Sequence, residues 1–489
     1  MVFNSIQFAA LFLVFYAVYR LIPRRAQNWL LLAASAAFYA AWDWRFLGLI
    51  AAIAVVSYAC GRAMSHAAGH RQRRLALAAG VGFGLAVLGF FKYVGFFAEN
   101  LRALLALAGW QADWITLRVA LPIGISFYTF VAIGYLVDVY RRTIEPARDP
   151  IDFAVFVTFF PTVLAGPILR ASEMLPQLAR PRRPGRAAMR EGLWLILWGL
   201  TKKMFVADNL ARVASGVFAA GASPTGFEVL LGVYAFAFQI YGDFSGYTDI
   251  ARGLAALMGF ELPINFRFPY LVRTPQAFWQ HWHITLSTWL RDYLFLPLSY
   301  AFSRRLDGVR WLGFRDDAWI YAAATIITML VAGLWHGAAW TFVVWGAYQG
   351  VLLAVFRFAA MGRTRRRRRT GRGWRARFAG AAAVLGMFHL TCAGWLVFRA
   401  GSLGEAVDHA GSLLLRFRPS LAAWQQHGWA LLFYAAPVLA VHGYEAWRSD
   451  LSAVMESPRV VRYVVCGALV YLVLLFGDFA GAQFIYFQF

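Results

Sequence analysis

Three short stretches hold the residues that could do chemistry. The first, Val331 to Trp345, reads VAGLWHGAAWTFVVW and sets one imidazole, His336, beside Trp335 among Leu, Gly and Ala. A titratable ring is costly to keep in such company. Desolvation favours the neutral imidazole, and a neutral imidazole can act as a general base. Gly333, Gly337, Ala338 and Ala339 leave room for a neighbouring backbone or a ligand to approach the ring. A histidine that only hydrogen-bonds across a helix interface in lipid would give the same pattern.

The second stretch, Phe278 to Leu296 (FWQHWHITLSTWLRDYLFL), packs His281, His283, Thr285, Ser287, Arg291 and Asp292 among aromatics and reads as an amphipathic helix. On a helix, residues 281 and 283 point about 200° apart, so they do not share a metal, whereas His283, Ser287 and Arg291 fall on one face. Tryptophans and basic residues at a membrane surface are the competing explanation. The third stretch, Gln239 to Asp249 (QIYGDFSGYTD), places Asp243 and Asp249 directly after an apolar run, with Gly242 and Gly246 loosening the helix. Such carboxylates face a cavity or pair with Arg or His on another helix. The serine is off-centre between the glycines, so this is no nucleophile elbow.

Two connectors, PINFRFPY from Pro263 with Asn265 and Arg267, and AGPILR from Ala165, read as turns. The last six residues, FIYFQF, hold one hydroxyl, Tyr486, in an apolar tail. An interfacial aromatic anchor is its simplest reading.

The elements that must position these groups are membrane helices. With 61% hydrophobic, 17% aromatic and only 15% charged residues among 489, the chain has too much apolar surface for a water-surrounded core. Apolar runs recur at Ile6 to Tyr19, Trp29 to Ala41, Leu75 to Phe91, Ile151 to Ile168, Leu193 to Leu200, Val229 to Tyr241, Trp319 to Trp335, Trp340 to Val355, Ala379 to Val397 and Val460 to Phe476. They predict an all-α polytopic membrane protein with roughly a dozen spanning or re-entrant helices. Residues 1–489 form one membrane-embedded domain, with no soluble catalytic domain and no fixed-period repeat.

The net charge of +23 does not point to nucleic acid, because the arginines sit in short loops, as the positive-inside rule expects. Nine arginines in the basic loop 363–377, five between Arg180 and Arg190, and the stretch Arg62 to Arg74 mark the cytoplasmic side. Threading from these points puts the N-terminus, Phe96 to Asp113, Ala219 to Gly226, Gly401 to Gly428 and the tail 484–489 on the extracytoplasmic side. The first run lacks a preceding basic region and is followed by Arg20, Arg24 and Arg25, so it reads as a retained helix. Cys60, Cys392 and Cys466 show neither a disulfide framework nor a zinc pattern.

Taken in order, LPIGISFYTF at Leu121, FFPTVLAGPILR at Phe159, YGDFSGYTDIARGL at Tyr241, FWQHWHITLSTWLRDYLFLPL and GLWHGAAWTF at Gly333 resemble the membrane-bound O-acyltransferases. The resemblance extends from MVFNSIQF through FYAAWDWRF to FIYFQF and looks nearest to the bacterial polysaccharide O-acetyltransferases typified by alginate acetylation. It implies a helical body around a central tunnel in the bacterial inner membrane, His336 as catalytic base and His283 as the second active-site histidine. His281 stands where the family pattern has arginine and is incidental. It further implies an acyl thioester donor such as acetyl-coenzyme A, no bound cofactor or metal, a polysaccharide acceptor, and an extracytoplasmic acetyltransferase partner. Asn265, Arg291, Asp243, Asp249 and Trp335 are the supporting candidates, and Tyr486 a possible acyl relay. Two rivals remain: export of D-alanyl or another acyl group for cell-wall polymers, and a transporter or flippase without covalent transfer.

Overall fold

Helices dominate because the apolar runs can satisfy their backbone groups only internally in lipid. The structure, a computed structural model, describes residues 2–110, 119–219, 221–306, 308, 310–311, 314–363, 373–479 and 484–485. Among these, six helical stretches are long and apolar enough to cross a membrane: 24–66, 70–107, 316–336, 340–361, 374–399 and 459–476. The protein is an all-α polytopic membrane protein. The β structure described is one short hairpin, Arg310–Trp311 antiparallel to Phe314–Arg315.

The chain divides into two units, Met1–Ile196 with Tyr247–Pro263, and Leu197–Gly246 with Ile264–Phe489. The first holds α1 (Ile6–Leu21), α2 (Arg24–Asp43), α3 (Leu47–His66), α4 (His70–Leu88), α5 (Val94–Leu107), α6 (Ile125–Arg141), α7 (Pro150–Thr158), α8 (Ala171–Leu178) and most of α9 (Arg186–Leu200). The second holds a π-helical turn (Thr201–Ala207), α10 (Asp208–Val217), most of α11 (Gly226–Leu257), α12 (Pro275–His281), α13 (Ile284–Leu290), α14 (Leu296–Leu306), α15 (Asp316–His336) and α16 (Trp340–Arg363). It continues through α17 (Trp374–Arg399), α18 (Leu403–Leu415), α19 (Leu421–Ala423), α20 (Trp429–Arg448), α21 (Ala453–Glu456) and α22 (Arg459–Phe476).

Local chemistry explains several boundaries. Ser5 caps α1 by accepting the Phe8 N–H at 3.2 Å, and Asp149, followed by Pro150 at the first helical position, caps α7. The run Ile151 to Ile168 is not one helix: α7 stops at Thr158, and Pro161 and Pro167 prevent its resumption. The irregular stretch after it is nonetheless buried at Phe159, Phe160, Val163 and Leu164, and the Phe160 N–H is satisfied by Ser35 Oγ at 3.1 Å. Helices α3, α6 and α20 lie outside the expected runs, although each carries a long uncharged stretch before Arg62, Asp138 and Glu445 near its end.

One arginine of the basic Arg180 to Arg190 segment is not a solvated loop charge. Arg182 is 5% exposed, and its guanidinium donates to the Tyr19 hydroxyl (2.8 Å), the Leu178 carbonyl (3.1 Å), Gln27 Oε1 (3.3 Å) and Asn28 Oδ1. Its planar fork ties α1, α2 and the end of α8 together.

Gly242 and Gly246 do not loosen α11, which runs unbroken for 32 residues. A Cβ at Gly242 would lie 2.9 Å from the Lys202 carbonyl oxygen, and one at Gly246 2.8 Å from that of Gly199. Their role is close approach of α11 to the π-helical turn and the end of α9.

The same device joins α15 to α16. A Cβ at Gly346 would collide with the Met329 carbonyl oxygen, and one at Gly350 would sit 2.9 Å from Ile326 Cα. Gly346→Ala is therefore expected to destabilise the fold by about 2 to 3 kcal/mol through overpacking. Gly386→Ala in α17, where a Cβ meets nothing within 4 Å, gains up to about 1 kcal/mol of helix propensity. Thermal unfolding of the two variants in detergent checks the opposite signs.

Candidate active site

All the chemistry-bearing groups that the structure brings together belong to the second unit. His336 is the last residue of α15, and the chain turns through Gly337 in extended conformation before α16 begins at Trp340. The close α15–α16 approach accounts for Gly333, where a Cβ would strike the Phe342 carbonyl. That glycine makes room for a backbone. The imidazole is 5% exposed and walled by rings: Trp335 at 4.8 Å, Trp345 at 5.0 Å and Phe398 at 5.3 Å between centroids, all edge-on at 76° to 88°. Those edge contacts fix the ring's plane.

His283 does not lie on a continuous helix. α12 ends at His281, Trp282 is extended, and His283 takes the left-handed conformation (φ 41°, ψ 54°) before α13 starts at Ile284. For a residue with a Cβ this conformation costs on the order of 1 to 2 kcal/mol. Asn265 offsets it. Its carbonyl accepts the Ile284 N–H at 3.0 Å, and its side-chain Oδ1 accepts both the Thr285 N–H (3.1 Å) and the Thr285 hydroxyl (3.0 Å). Asn265 thus caps α13 from a distant segment, as an N-cap side chain does locally. Trp282 anchors the break, stacked on Phe278 at 5.6 Å and against Trp395 at 4.9 Å.

The same Asn265 Oδ1 receives the His283 Nδ1–H at 3.2 Å. Because that oxygen only accepts, Nδ1 carries the proton and Nε2 is the basic nitrogen of the neutral ring. His283 is fully buried, edge-on to Phe244 (4.6 Å, 90°) and 5.8 Å from Trp335. The two histidines therefore share the Trp335 indole as a neighbour. The connector PINFRFPY supplies the side chain that orients one of them.

The remaining sequence candidates separate. His281 Nδ1 bonds the Ala277 carbonyl at 2.7 Å within its own helix. The shared face of His283, Ser287 and Arg291 disappears with the helix break: Ser287 Oγ donates to the Trp282 carbonyl, and Arg291, 59% exposed at its side chain, pairs with adjacent Asp292 at 2.8 Å. Asp249 pairs with Arg252 at 3.6 Å on its own helix, within the first unit.

Asp243 has a lysine as its partner, where arginine or histidine was expected. Lys203 Nζ lies 2.8 Å from Asp243 Oδ1 and 2.8 Å from Asp208 Oδ1, with all three side chains less than 10% exposed. Lys203 and Asp208 escaped the sequence reading, although a charged LTKKMFVADN segment following an apolar run was a usable signal. Tyr486 lies outside the described residues, as does most of the basic loop 363–377, but Phe484 and Ile485 just before it are buried.

Known proteins resemble this chain over much of its length. The profile of the membrane-bound O-acyltransferase family matches residues 147–397, which include Asp243, Asn265, His283 and His336. A protein named probable alginate O-acetylase from Azotobacter vinelandii is 41% identical over 83% of this chain and 76% of its own length. A peptidoglycan O-acetyltransferase of Helicobacter pylori is 34% identical over 73% of this chain and 70% of its length. A teichoic acid D-alanyltransferase of Bacillus subtilis is 24% identical over 56% of this chain and 68% of its length. The extent of these matches places the chain in the membrane-bound O-acyltransferase family, as an integral membrane enzyme that transfers acyl groups to oxygen.

Proposed function

We propose that the protein moves acetyl groups from a cytoplasmic thioester, acetyl-coenzyme A or a similar donor, to an extracytoplasmic polysaccharide. The observation that carries this is the pair of buried imidazoles that both neighbour one tryptophan, His336 and His283, in a chain about 40% identical to alginate O-acetylases over most of its length. In this reading His336 takes the proton of an acceptor hydroxyl as its oxygen attacks the thioester carbonyl carbon. The C–S bond then breaks, and the departing thiolate recovers the proton from the imidazolium. His283, oriented by Asn265, steadies the acyl group or the developing oxyanion. The arginine-rich loop 363–377 attracts the donor's phosphates at the cytoplasmic face of the inner membrane. The N-terminus and the 484–489 tail lie on the other face, where an acetyltransferase partner completes delivery.

Tyr486 serves as an acyl relay in this scheme, a phenol ester remaining reactive enough to pass its acetyl group on. Donor-treated protein is expected to show a +42 Da adduct at Tyr486 by mass spectrometry, the increment of one acetyl group on the order of 40 Da, and Tyr486→Phe to lose transfer. Full activity of Tyr486→Phe with no adduct in the parent protein would remove the relay and leave the base in place. The donor is tested by offering labelled acetyl-coenzyme A beside a D-alanyl carrier thioester. Acetyl transfer is expected, and transfer of D-alanine alone would replace acetylation with the D-alanyl reading.

A further inference from the structure

Four contacts hold the C-terminal segment within the second unit, to Met204 beside the buried Lys203, to Asn209 and Arg212 of α10, and to Asp243, which pairs with that lysine. The Asp478 N–H donates to the Met204 carbonyl at 2.9 Å in the π-helical turn. Asn209 Nδ2 donates to the Phe476 carbonyl at 2.9 Å, and Arg212 pairs with the Asp478 carboxylate. Further along, the Ile485 N–H donates to Asp243 Oδ2 at 2.6 Å. Ile485 is 2% exposed and Phe484 3%.

Asp243 therefore divides its two oxygens. Oδ1 faces Lys203 and Oδ2 holds the backbone of the tail. A carboxylate this deeply buried is stable only when paired and hydrogen-bonded, and here the lysine supplies the charge and the tail supplies the bond. The next residue, Phe244, meets Phe484 at 5.9 Å on one side and His283 at 4.6 Å on the other. One dipeptide of α11 thus touches both the tail and the second histidine.

We infer that Asp243, clamped by Lys203, is a positioning residue: it seats the C-terminal segment at Phe484–Ile485 against Phe244 and so places the tail beside His283. This rests on the reading of His283 as an active-site residue. It assigns Lys203, Asp208, Asn209 and Arg212 a joint role that composition alone would credit to membrane packing.

The test uses full-length protein in nanodiscs with two readouts. Timed carboxypeptidase digestion followed by intact mass reports seating of the tail, and steady-state acetyl transfer reports its consequence. Asp243→Ala is expected to speed trimming at least about 10-fold and to lower kcat about 10-fold with donor KM unchanged, since the lost group touches the tail and not the donor. Asp243→Asn keeps a carbonyl acceptor and should restore most of the protection. Ile485→Pro deletes the donor N–H without altering α11, so it tests the same bond if Asp243→Ala does not fold. Unchanged protection in both Asp243→Ala and Ile485→Pro would overturn the seating. Faster trimming with unchanged kcat would overturn the positioning role. Full transfer by His283→Ala would instead overturn the active-site reading on which the inference rests, which keeps the failures distinct.

Discussion

His336→Ala is expected to lower acetyl transfer by about 100- to 10,000-fold, the range for removing a positioned general base. The fold should tolerate the change. His336 ends α15, its neighbours Trp345 and Phe398 contact each other as well as the imidazole, and truncation removes an aromatic edge and leaves their mutual packing. Donor affinity should hold, because the proposed role is proton removal at the acceptor. kcat would fall and KM stay near its original value. His336→Gln, which keeps hydrogen-bonding capacity and loses basicity, separates the two explanations open to a buried histidine. A base fails equally in both variants, whereas a packing histidine is largely rescued by glutamine.

Asn265→Leu should produce the second large loss, and through a different physical route. One carbonyl oxygen accepts from the Thr285 N–H, the Thr285 hydroxyl and His283 Nδ1. Leucine leaves all three donors buried without it, at about 1 to 3 kcal/mol for each one that stays unsatisfied. It also releases the left-handed His283 backbone and the ring's tautomer. The expected outcome is a clear drop in the unfolding midpoint together with at least about a 10-fold fall in kcat. Asn265→Asp retains acceptor oxygens and should recover the midpoint. If Asn265→Leu kept both stability and kcat, His283 would not depend on its orientation.

How much of this was legible before the structure depends on how local the determining interactions are. His336 stood out because a titratable ring between tryptophans and glycines has few structural justifications, and nothing about its role required knowing a distant partner. His283 stood out as a residue, yet its setting did not. The stretch QHWHITLS contains no glycine or proline, so periodicity read a continuous helix and placed Ser287 and Arg291 on the histidine's face. The break is imposed by Asn265, 18 residues away, whose capping bonds no local pattern reveals. The glycines of α11 carried a similar ambiguity, because a glycine that loosens a helix and one that admits a neighbouring backbone look alike in sequence. Only the facing carbonyls of Gly199 and Lys202 decide it. Asp243 was correctly suspected of pairing, but its partner lay 40 positions earlier in a segment that reads as the charged end of an apolar run.

The central claim is that an acyl group passes from a donor on one membrane face to an acceptor on the other by way of the His336 site. It is tested most directly in sealed proteoliposomes, with labelled acetyl-coenzyme A confined to the side of the 363–377 loop and a polysaccharide acceptor, with any required partner, on the opposite side. The account predicts labelled acetyl on the acceptor in intact vesicles for the parent protein and none above background for His336→Ala. Label that reaches the acceptor equally well with His336→Ala, or that is transferred only to molecules on the donor's own side, would contradict it.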